Sequence, residues 1–236
     1  MVDIHNHLLF GVDDGIQSLE DSVKVLTDMY NFGYRKVILT PHYITNSRYN
    51  SSAKENYHRL KLIKDELESN GIPLKLYLGN EIFMDDNIYD LLKSGEVYSL
   101  NGTSYILVEL PMDGEYPDYI EVFKDLMSKG CHIILAHPER YLSFQKDYNK
   151  INELQHIGVY FQSNIDSLIG KYGPGAEKLI KKLLSEKKIA FLATDIHRRK
   201  HNYTDWNRAI EISLKYISED EYDTLVNKNP SQLVAD

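Results

Sequence analysis

Apolar runs of strand length alternate with longer amphipathic stretches from one end of the chain to the other. Such runs are typical of strands buried on both faces, and apolar residues spaced three and four apart are typical of helices packed against them. Seven strands are predicted: Val2–Leu8, Lys36–Thr40, Leu74–Gly79, Tyr105–Leu110, His132–Ala136, Val159–Gln162 and Ile189–Ala193. Connections of helix length imply parallel strands with right-handed crossovers. The pattern therefore predicts a barrel-like α/β fold.

Capping residues mark where the intervening helices begin and end. Ser18 and Asp21 resemble a capping box that begins a helix reaching about Phe32, and Gly33 ends it. The helices are predicted at about residues 18–32, 52–70, 86–93, 119–129, 148–156, 175–186, 206–216 and 219–227. No low-complexity linker or shift in composition interrupts this rhythm. We therefore expect one domain over residues 1–236.

Histidines and carboxylates recur at a fixed place in the pattern, within a few residues of the C-terminal end of a strand. These residues are His5, His7, His42, Glu81, Glu109, His137, Asp195 and His197. In an α/β barrel the strand C-termini and the loops beyond them form the active face. Nitrogen and oxygen donors without thiolates suit Mn, Fe, Zn or Mg ions in hydrolytic chemistry. This shared position predicts a multinuclear metal hydrolase.

Two pairs of these residues have a spacing of one intervening residue, so both members point to the same face of a strand. His5 and His7 form the first pair, and Asp195 and His197 the second. Alone, the first pair could be ordinary polar core and the second could hydrogen-bond a loop. The pairs belong to the first and last strands, which are neighbours if the barrel closes. Together they favour a shared metal site.

The remaining carboxylates each have a structural alternative. Glu81 and Glu109 end strongly apolar strands, where an ionised carboxylate needs a cation or hydrogen-bond donors. A salt bridge to Lys or Arg would satisfy them, and a bridging position between two ions fits the surrounding histidines better. Asp13 and Asp14 lie in a turn, where Asp is common for conformational reasons. We favour Asp14 as the ligand, although spacing does not separate it from Asp13.

Three arginines are candidates for binding an anionic substrate. Arg140 follows His137, at the end of the fifth predicted strand, by three residues, and its guanidinium could bind two oxygens of a phosphate. The alternative is a loop salt bridge to Glu139. Arg198 and Arg199 follow the last histidine directly and could also meet the substrate or simply be solvated. If the site holds three divalent ions, its four carboxylates leave the pocket locally positive, which favours a phosphate dianion.

Composition narrows the class of partner. The chain is 42% hydrophobic with a formal net charge of -8 and no basic run, which argues against nucleic acid as a partner. No stretch approaches the ~20 continuous apolar residues of a membrane span. The single Cys131 excludes an intrachain disulfide, and the N-terminus runs directly into a predicted strand, so no signal peptide is expected. We expect a cytoplasmic protein.

The chain resembles the polymerase and histidinol phosphatase (PHP) superfamily. More closely, it is similar to the bacterial metal-dependent protein tyrosine phosphatases associated with capsule and exopolysaccharide synthesis. The matching stretches span nearly the whole chain: Asp3–Gly15, Thr40–His42, Gly79–Glu81, Val108–Glu109, Ala136–Tyr141 and Thr194–His197. The opening His-x-His followed by Val-Asp-Asp-Gly is fairly specific to this branch. The resemblance implies a distorted seven-stranded (β/α)7 TIM-like barrel, the PHP fold.

Carried over residue by residue, the resemblance implies three divalent ions, with Mn expected and Zn, Fe, Co or Mg as alternatives. The first ion would be held by His5, His7, Glu81 and Asp195; the second by Glu81, Glu109 and His137; the third by Asp14, His42 and His197. Arg140 matches the family's catalytic arginine beside the phosphate. The family has another arginine several residues after the last histidine. That position here is Asn202 or nearby, while Arg198 and Arg199 lie closer in.

The implied chemistry is hydrolysis of phosphotyrosine by attack of a metal-bound hydroxide, without a phosphoenzyme. A cysteine-based mechanism is excluded because the residue six positions after Cys131 is His137, where that mechanism requires Arg. The implied substrate is a phosphotyrosine protein, typically the tail of a bacterial tyrosine kinase of polysaccharide assembly. Two other functions stay open, a small-molecule phosphatase of the histidinol-phosphatase type and a non-catalytic metal-sensing or scaffold protein. Oligomeric state is not predicted.

Overall fold

The computed structural model describes residues 1–112, 116, 118–198 and 203–234. Its strands are β1 (Val2–Asp3), β2 (Lys36–Leu39), β3 (His42–Tyr43), β4 (Lys75–Leu78), β5 (Glu81–Phe83), β6 (Tyr105–Glu109), β7 (His132–Ala136), β8 (Tyr160–Asn164) and β9 (Phe191–Ala193). Every pairing between them is parallel. A strand is present at each of the seven predicted positions, and the prediction of a parallel α/β fold is confirmed. The first strand is shorter than predicted, since β1 covers only Val2–Asp3 of the expected Val2–Leu8, and His5 and His7 therefore follow the strand.

Helices connect most of these strands and cover the sheets. They are α1 (Leu19–Phe32), α2 (Ala53–Ser69), α3 (Ile88–Ser94), α4 (Tyr119–Ser128), α5 (Leu142–Lys146), α6 (Asn149–His156), α7 (Pro174–Ser185), α8 (Tyr203–Ser213), α9 (Glu219–Asp223) and α10 (Asn229–Ser231). The predicted cap of α1 is confirmed, since the Ser18 side chain accepts a hydrogen bond from the Asp21 backbone. The short α5 was not predicted, and a π-helical turn, Thr224–Lys228, joins α9 to α10.

The strands form two sheets, with the orders β1-β2-β4 and β3-β5-β6-β7-β8-β9. The segments β3 and β5 are additions to the predicted set, and each continues a predicted strand after a short interruption. Pro41 separates β2 from β3 and has no backbone N–H for a ladder. Gly79 and Asn80 separate β4 from β5. The chain therefore passes from the three-stranded sheet to the six-stranded sheet twice, from β2 to β3 and from β4 to β5.

Isolated backbone hydrogen bonds join the chain segments that follow the first and last strands. Asp195 N donates to His5 O at 2.8 Å, and His7 N donates to Ile196 O at 2.9 Å. These segments lie side by side, as expected for a first and a last strand that are neighbours. The two ladders do not merge into one closed sheet in the described residues, so the barrel-like circuit is distorted.

Apolar side chains bury both faces of the central strands. Along β6 and β7, Leu107 and Ile134 belong to a smaller inner cluster, while Ile106 and Ile133 belong to the main core beneath the helices. Parallel sheets covered on both faces require such continuous apolar runs. Glu109 follows Leu107 by two residues and continues the inner face at the C-terminal end of β6. The fold thus directs a carboxylate toward the axis of the molecule.

Among the described residues, no helix combines the length and the apolar character that crossing a membrane requires.

Candidate metal centre and active site

The nine predicted metal ligands lie in one cluster beyond the C-terminal ends of the strands. Their donor atoms form four overlapping groups, and within each group all donor atoms lie within 4.8 Å of one another: His7, Asp14, His42 and His197; His5, His7 and Glu81; His5, His137 and Asp195; His42, Glu81 and Glu109. Two positions differ from expectation. His42 and Glu81 begin the extra segments β3 and β5, where they are ladder partners. The break in each strand therefore places these two ligands opposite one another.

Four donor atoms lie close together at the buried end of the cluster, from His5, His7, Glu81 and Asp195, and form what we call the base group. Nε2 of His5 and Nε2 of His7 lie 3.4 Å apart. Glu81 Oε2 lies 3.2 Å from both nitrogens, and Asp195 Oδ1 lies 3.5 Å and 3.4 Å from them. Tetrahedral coordination with bonds of about 2.1 Å gives edges of about 3.4 Å between ligands. These distances fit one cation within the group.

The two carboxylate oxygens of this base group, Glu81 Oε2 and Asp195 Oδ1, are buried and accept no hydrogen bond of regular geometry from the described residues. Imidazole nitrogens lie near them, and among these His42 Nδ1 is 3.0 Å from Glu81 Oε2. Burial opposes the charged form of His5, but the negative charges of Glu81 and Asp195 outweigh it and raise its pKa to about 9. The surroundings therefore favour positive charge at this point, as a protonated imidazole or as a metal ion.

The outer nitrogens of both base histidines are held by neighbouring side chains. His5 Nδ1 lies 2.7 Å from Gln162 Oε1, and His7 Nδ1 lies 2.7 Å from Asp13 Oδ2. An amide or carboxylate oxygen accepts, so each Nδ1 carries a proton, and each Nε2 is the ring nitrogen that faces the group. Histidines that bind metals are oriented by such contacts.

Glu81 extends the cluster, because its second oxygen faces another histidine. Glu81 Oε1 lies 2.9 Å from His137 Nε2, and Glu109 Oε1 lies 3.7 Å from the same nitrogen. The two oxygens of Glu81 thus face two donor groups, which is the arrangement of a bridging carboxylate. Burial and the charge of Glu81 raise the pKa of Glu109 to about 8. Two carboxylates this close cannot both be ionised without a nearby cation.

A third group lies at the mouth of the cluster. Asp14 Oδ1 lies 3.6 Å from Nε2 of both His42 and His197. His197 Nδ1 donates to the backbone oxygen of Asp195 at 3.0 Å, which directs its Nε2 toward Asp14. The Asp14 side chain is 50% exposed, whereas the side chains of the base group are almost fully buried. The site therefore opens to solvent on the Asp14 side.

The neighbouring aspartates of the turn have different surroundings. Asp13 is buried and accepts from His7, from Gly15 N at 2.9 Å and from His42 N at 3.0 Å. Its lone pairs are thereby used within the protein. Asp14 instead presents an oxygen to the third donor group, in agreement with the choice implied by the family resemblance.

Arg140 reaches the cluster from a short 3₁₀ turn after β7. Its Nη1 donates to Asp195 Oδ2 at 2.9 Å, and its guanidinium lies 4.4 Å from the centre of the Tyr172 ring. The alternative partner Glu139 is buried elsewhere and accepts from Ser167 Oγ at 2.7 Å. Arg140 is one quarter exposed, so its other N–H groups remain accessible beside the donor cluster.

Of the other two candidate arginines, the structure describes Arg198 alone. Arg198 is exposed directly after the last histidine. Arg199 and Asn202 lie outside the described residues.

Three residues around the candidate ligands were not predicted, Gln162, Asn164 and Tyr172. Of these, Asn164 Nδ2 donates to Asp195 Oδ2 at 2.6 Å. Gln162 and Asn164 are separated by one residue in β8, so they share one face of that strand. Two polar residues with this spacing at the end of an otherwise apolar run are the signal that could have identified them.

Comparison with known proteins agrees with this combination of fold and site. The family model described as "Capsular polysaccharide synthesis, CpsB/CapC" matches residues 1–235. The tyrosine-protein phosphatase YwqE of Bacillus subtilis is 30% identical over 223 residues, which are 94% of this chain and 85% of YwqE. A solved structure from work on YwqE and on CpsB of Streptococcus pneumoniae, described as metal-dependent tyrosine phosphatases, aligns with a TM-score of 0.90 at 28% identity. That alignment covers 99% of this chain and 94% of the other.

More distant structures share the fold alone. Histidinol phosphate phosphatase from Lactococcus lactis aligns with a TM-score of 0.62 at 14% identity, over 91% of this chain and 93% of that one. The class defined by the fold and the family match is a PHP-type α/β protein. Within that class, the chain belongs to the CpsB/CapC family of capsular polysaccharide synthesis.

Proposed function

We propose that this chain is a metal-dependent protein tyrosine phosphatase. The observation that carries the proposal is the buried base group, in which Glu81 Oε2 and Asp195 Oδ1 each lie 3.2–3.5 Å from Nε2 of both His5 and His7. Neither carboxylate oxygen accepts a hydrogen bond of regular geometry from the described residues. Family membership supports the reaction, since relatives of this chain are named tyrosine-protein phosphatases.

We further propose that the site holds three divalent ions, in the groups implied by the resemblance. The groups are His5, His7, Glu81 and Asp195; Glu81, Glu109 and His137; and Asp14, His42 and His197. Imidazole and carboxylate donors suit Mn, and also Zn, Fe, Co or Mg. Bound cations would stabilise charge on phosphoryl oxygens and make water a stronger nucleophile.

Arg140 supplies a fixed positive charge for the phosphate. Its ion pair with Asp195 and its contact with Tyr172 hold the guanidinium at the edge of the cluster. A guanidinium has five N–H donors in a planar fork, so those not bonded to Asp195 can donate to two phosphoryl oxygens. Solvent exposure rises from the buried base group to the half-exposed Asp14. The site is therefore accessible to a phosphotyrosine on a protein surface.

The physiological substrate we propose is the phosphotyrosine tail of a bacterial tyrosine kinase that regulates capsule or exopolysaccharide synthesis. The family description supports the pathway, and the names of the relatives support the reaction. Acting on such a tail would place the protein in the cytoplasm.

Turnover measured after removal and return of metal tests this proposal. The protein is treated with chelator, dialysed, and assayed with Mn, Zn or Mg on p-nitrophenyl phosphate, a phosphotyrosine peptide and histidinol phosphate. We expect metal-restored activity with preference for the phosphotyrosine peptide. Glu81→Gln should abolish it, whereas Glu121→Gln, which changes an exposed carboxylate paired with Lys124, should not.

Three other outcomes would reject the proposal in different ways. Preference for histidinol phosphate would assign the protein to the small-molecule branch. Metal binding without turnover of any substrate would favour the metal-sensing or scaffold function. Full activity in purified Glu81→Gln protein would show that the reaction takes place at another site.

A further inference from the structure

A cavity of about 380 Å³ lies beside the mouth of the donor cluster. One wall is the turn formed by residues 11–14 with Gln17, and the other is Arg48 and Tyr49 from the loop that follows β3. This volume is at the lower end of the range of small ligand sites, roughly 300–1,000 Å³. Because Asp14 belongs both to this cavity and to the third donor group, a ligand here would adjoin a phosphate bound at the cluster.

The first wall is a fixed turn. Gln17 Nε2 donates to the backbone oxygens of Asp13 and Gly15, both at 2.8 Å. Asp13 is itself held by its hydrogen bonds within the site. The Asp14 carboxylate is directed toward two histidines of the donor cluster. The acidic residues of this wall are therefore engaged in contacts of their own.

The second wall carries positive charge in a defined position. Arg48 Nη2 donates to the Tyr49 hydroxyl at 2.6 Å, and its guanidinium carbon lies 4.8 Å from the centre of the Tyr49 ring. The Tyr49 ring is nearly parallel to that of His42, with ring centres 6.1 Å apart. The loop closes on itself through a 2.7 Å hydrogen bond from Ile44 N to Tyr49 O. The guanidinium is thus oriented before any ligand arrives.

The charge of Arg48 has no carboxylate partner within the part of the chain that the structure describes. Several other basic side chains of this acidic protein do have one, such as Arg59 with Glu55 at 2.7 Å and Lys61 with Asp65 at 2.8 Å. An exposed, oriented and unneutralised arginine beside an active site is suited to bind a carboxylate of a substrate.

We propose that this cavity binds an acidic side chain adjacent to the phosphotyrosine of a protein substrate, with Arg48 donating to its carboxylate and Tyr49 positioning Arg48. The inference rests on the proposed function and deepens it, because it concerns recognition of the polypeptide around the phosphate. Small substrates such as p-nitrophenyl phosphate have no group that reaches the cavity. Their turnover therefore measures phosphate hydrolysis independently of binding by Arg48.

The test compares kcat/KM of the Mn-reconstituted protein on three phosphotyrosine peptides that differ only in the flanking residues, Glu, Gln or Lys. We expect the Glu peptide to exceed the Gln peptide by about tenfold, as one charge-assisted hydrogen bond allows, with the Lys peptide below both. Arg48→Ala should remove this order while p-nitrophenyl phosphate turnover stays unchanged. Tyr49→Phe, which loses the hydroxyl that accepts from Arg48, should weaken the preference.

Arg35→Ala is the matched control. Arg35 also lies over a tyrosine, with its guanidinium carbon 4.3 Å from the ring centre of Tyr30, but it lines neither the cavity nor the cluster. The preference for Glu should persist in this variant. Equal turnover of the three peptides, or a preference that survives Arg48→Ala, would overturn the inference while leaving the phosphatase proposal intact. Loss of turnover on every substrate, including p-nitrophenyl phosphate, would overturn the phosphatase proposal and this inference with it.

Discussion

Replacement of Gln162 by Leu is expected to weaken metal binding although Gln162 is not itself a proposed ligand. The side chain is completely buried, and its oxygen accepts from His5 Nδ1 at 2.7 Å. Leu is close to Gln in size, so the substitution removes the acceptor without opening a large cavity. The His5 Nδ1 proton then has no acceptor, and the ring can shift its proton to Nε2 or rotate. Either change withdraws a lone pair from the base group.

The contact with His5 sets the size of the effect on metal binding, although Leu also removes the hydrogen bond from Gln162 Nε2 to Asn164 Oδ1 at 2.9 Å and the longer one from His137 N at 3.4 Å. A buried donor left without a partner costs about 1–3 kcal/mol. At about 1.4 kcal/mol for each factor of ten, this cost corresponds to about 5-fold to 150-fold in affinity. Loss of a side chain that orients a metal ligand typically costs about 10-fold to 100-fold. We therefore expect Mn to bind Gln162→Leu about tenfold to a hundredfold more weakly, and saturating Mn to restore much of the turnover.

Competition with a chelator of known affinity measures the metal dissociation constant, and p-nitrophenyl phosphate turnover against free Mn gives an independent midpoint. Gln162→Glu is the informative companion, because a carboxylate still accepts from His5 Nδ1 and should preserve affinity better than Leu does. Thermal unfolding in the presence of chelator checks that both variants fold. Unchanged Mn affinity in folded Gln162→Leu protein would refute the orienting role of this contact.

Three further predictions concern the edge of the site and its charge. Arg140→Ala should lower kcat/KM by about 10²–10³, because a donor to the phosphate is lost. Metal content should be unchanged, since Asp195 keeps its hydrogen bond from the Asn164 side-chain amide; turnover and metal analysis measure the two results. Tyr172→Leu should lower kcat/KM by about 2-fold to 30-fold, with Tyr172→Phe near normal, since a cation–π contact is worth ~0.5–2 kcal/mol; Tyr148→Leu, which removes a ring under Lys182, is the control and should be normal. Metal-free protein should lose stability as pH rises from about 6.5 to 8, because the pKa of His5 is raised to about 9 and that of Glu109 to about 8. Over this interval the folded state binds more protons than the unfolded state, so each rise in pH favours the unfolded state. Melting temperatures that rise with pH there would contradict this prediction.

The meeting of the candidate ligands in one cluster could be predicted from the sequence because it depends on strand phase. Parallel strands bring their C-terminal ends to one edge, so side chains at those ends meet whatever the details of the barrel. Glu109 at the end of β6 and His137 just after β7 follow this rule directly. His42 and Glu81 follow it with one change, since each begins a short extra segment. The pattern does not show how a strand continues past a proline or a glycine.

The residues that support the ligands were not predicted because their partners are remote in sequence. His5 and Gln162 are 157 positions apart, and no local pattern connects them. Arg140 shows the opposite difficulty, since its sequence neighbour Glu139 was the expected alternative partner. Consecutive residues of a 3₁₀ turn point in different directions. Glu139 therefore points into the protein toward Ser167, while Arg140 reaches Asp195.

The location of the base group links metal binding to closure of the fold. Two of its donors, His5 and His7, come from the start of the chain, and Asp195 comes from near its end. These segments are joined by the hydrogen bonds from Asp195 N to His5 O and from His7 N to Ile196 O. The four donors cannot surround one point until the first and last strands lie together. A cation bound there would stabilise only the closed chain, so we expect metal removal to lower the melting temperature as well as to abolish turnover.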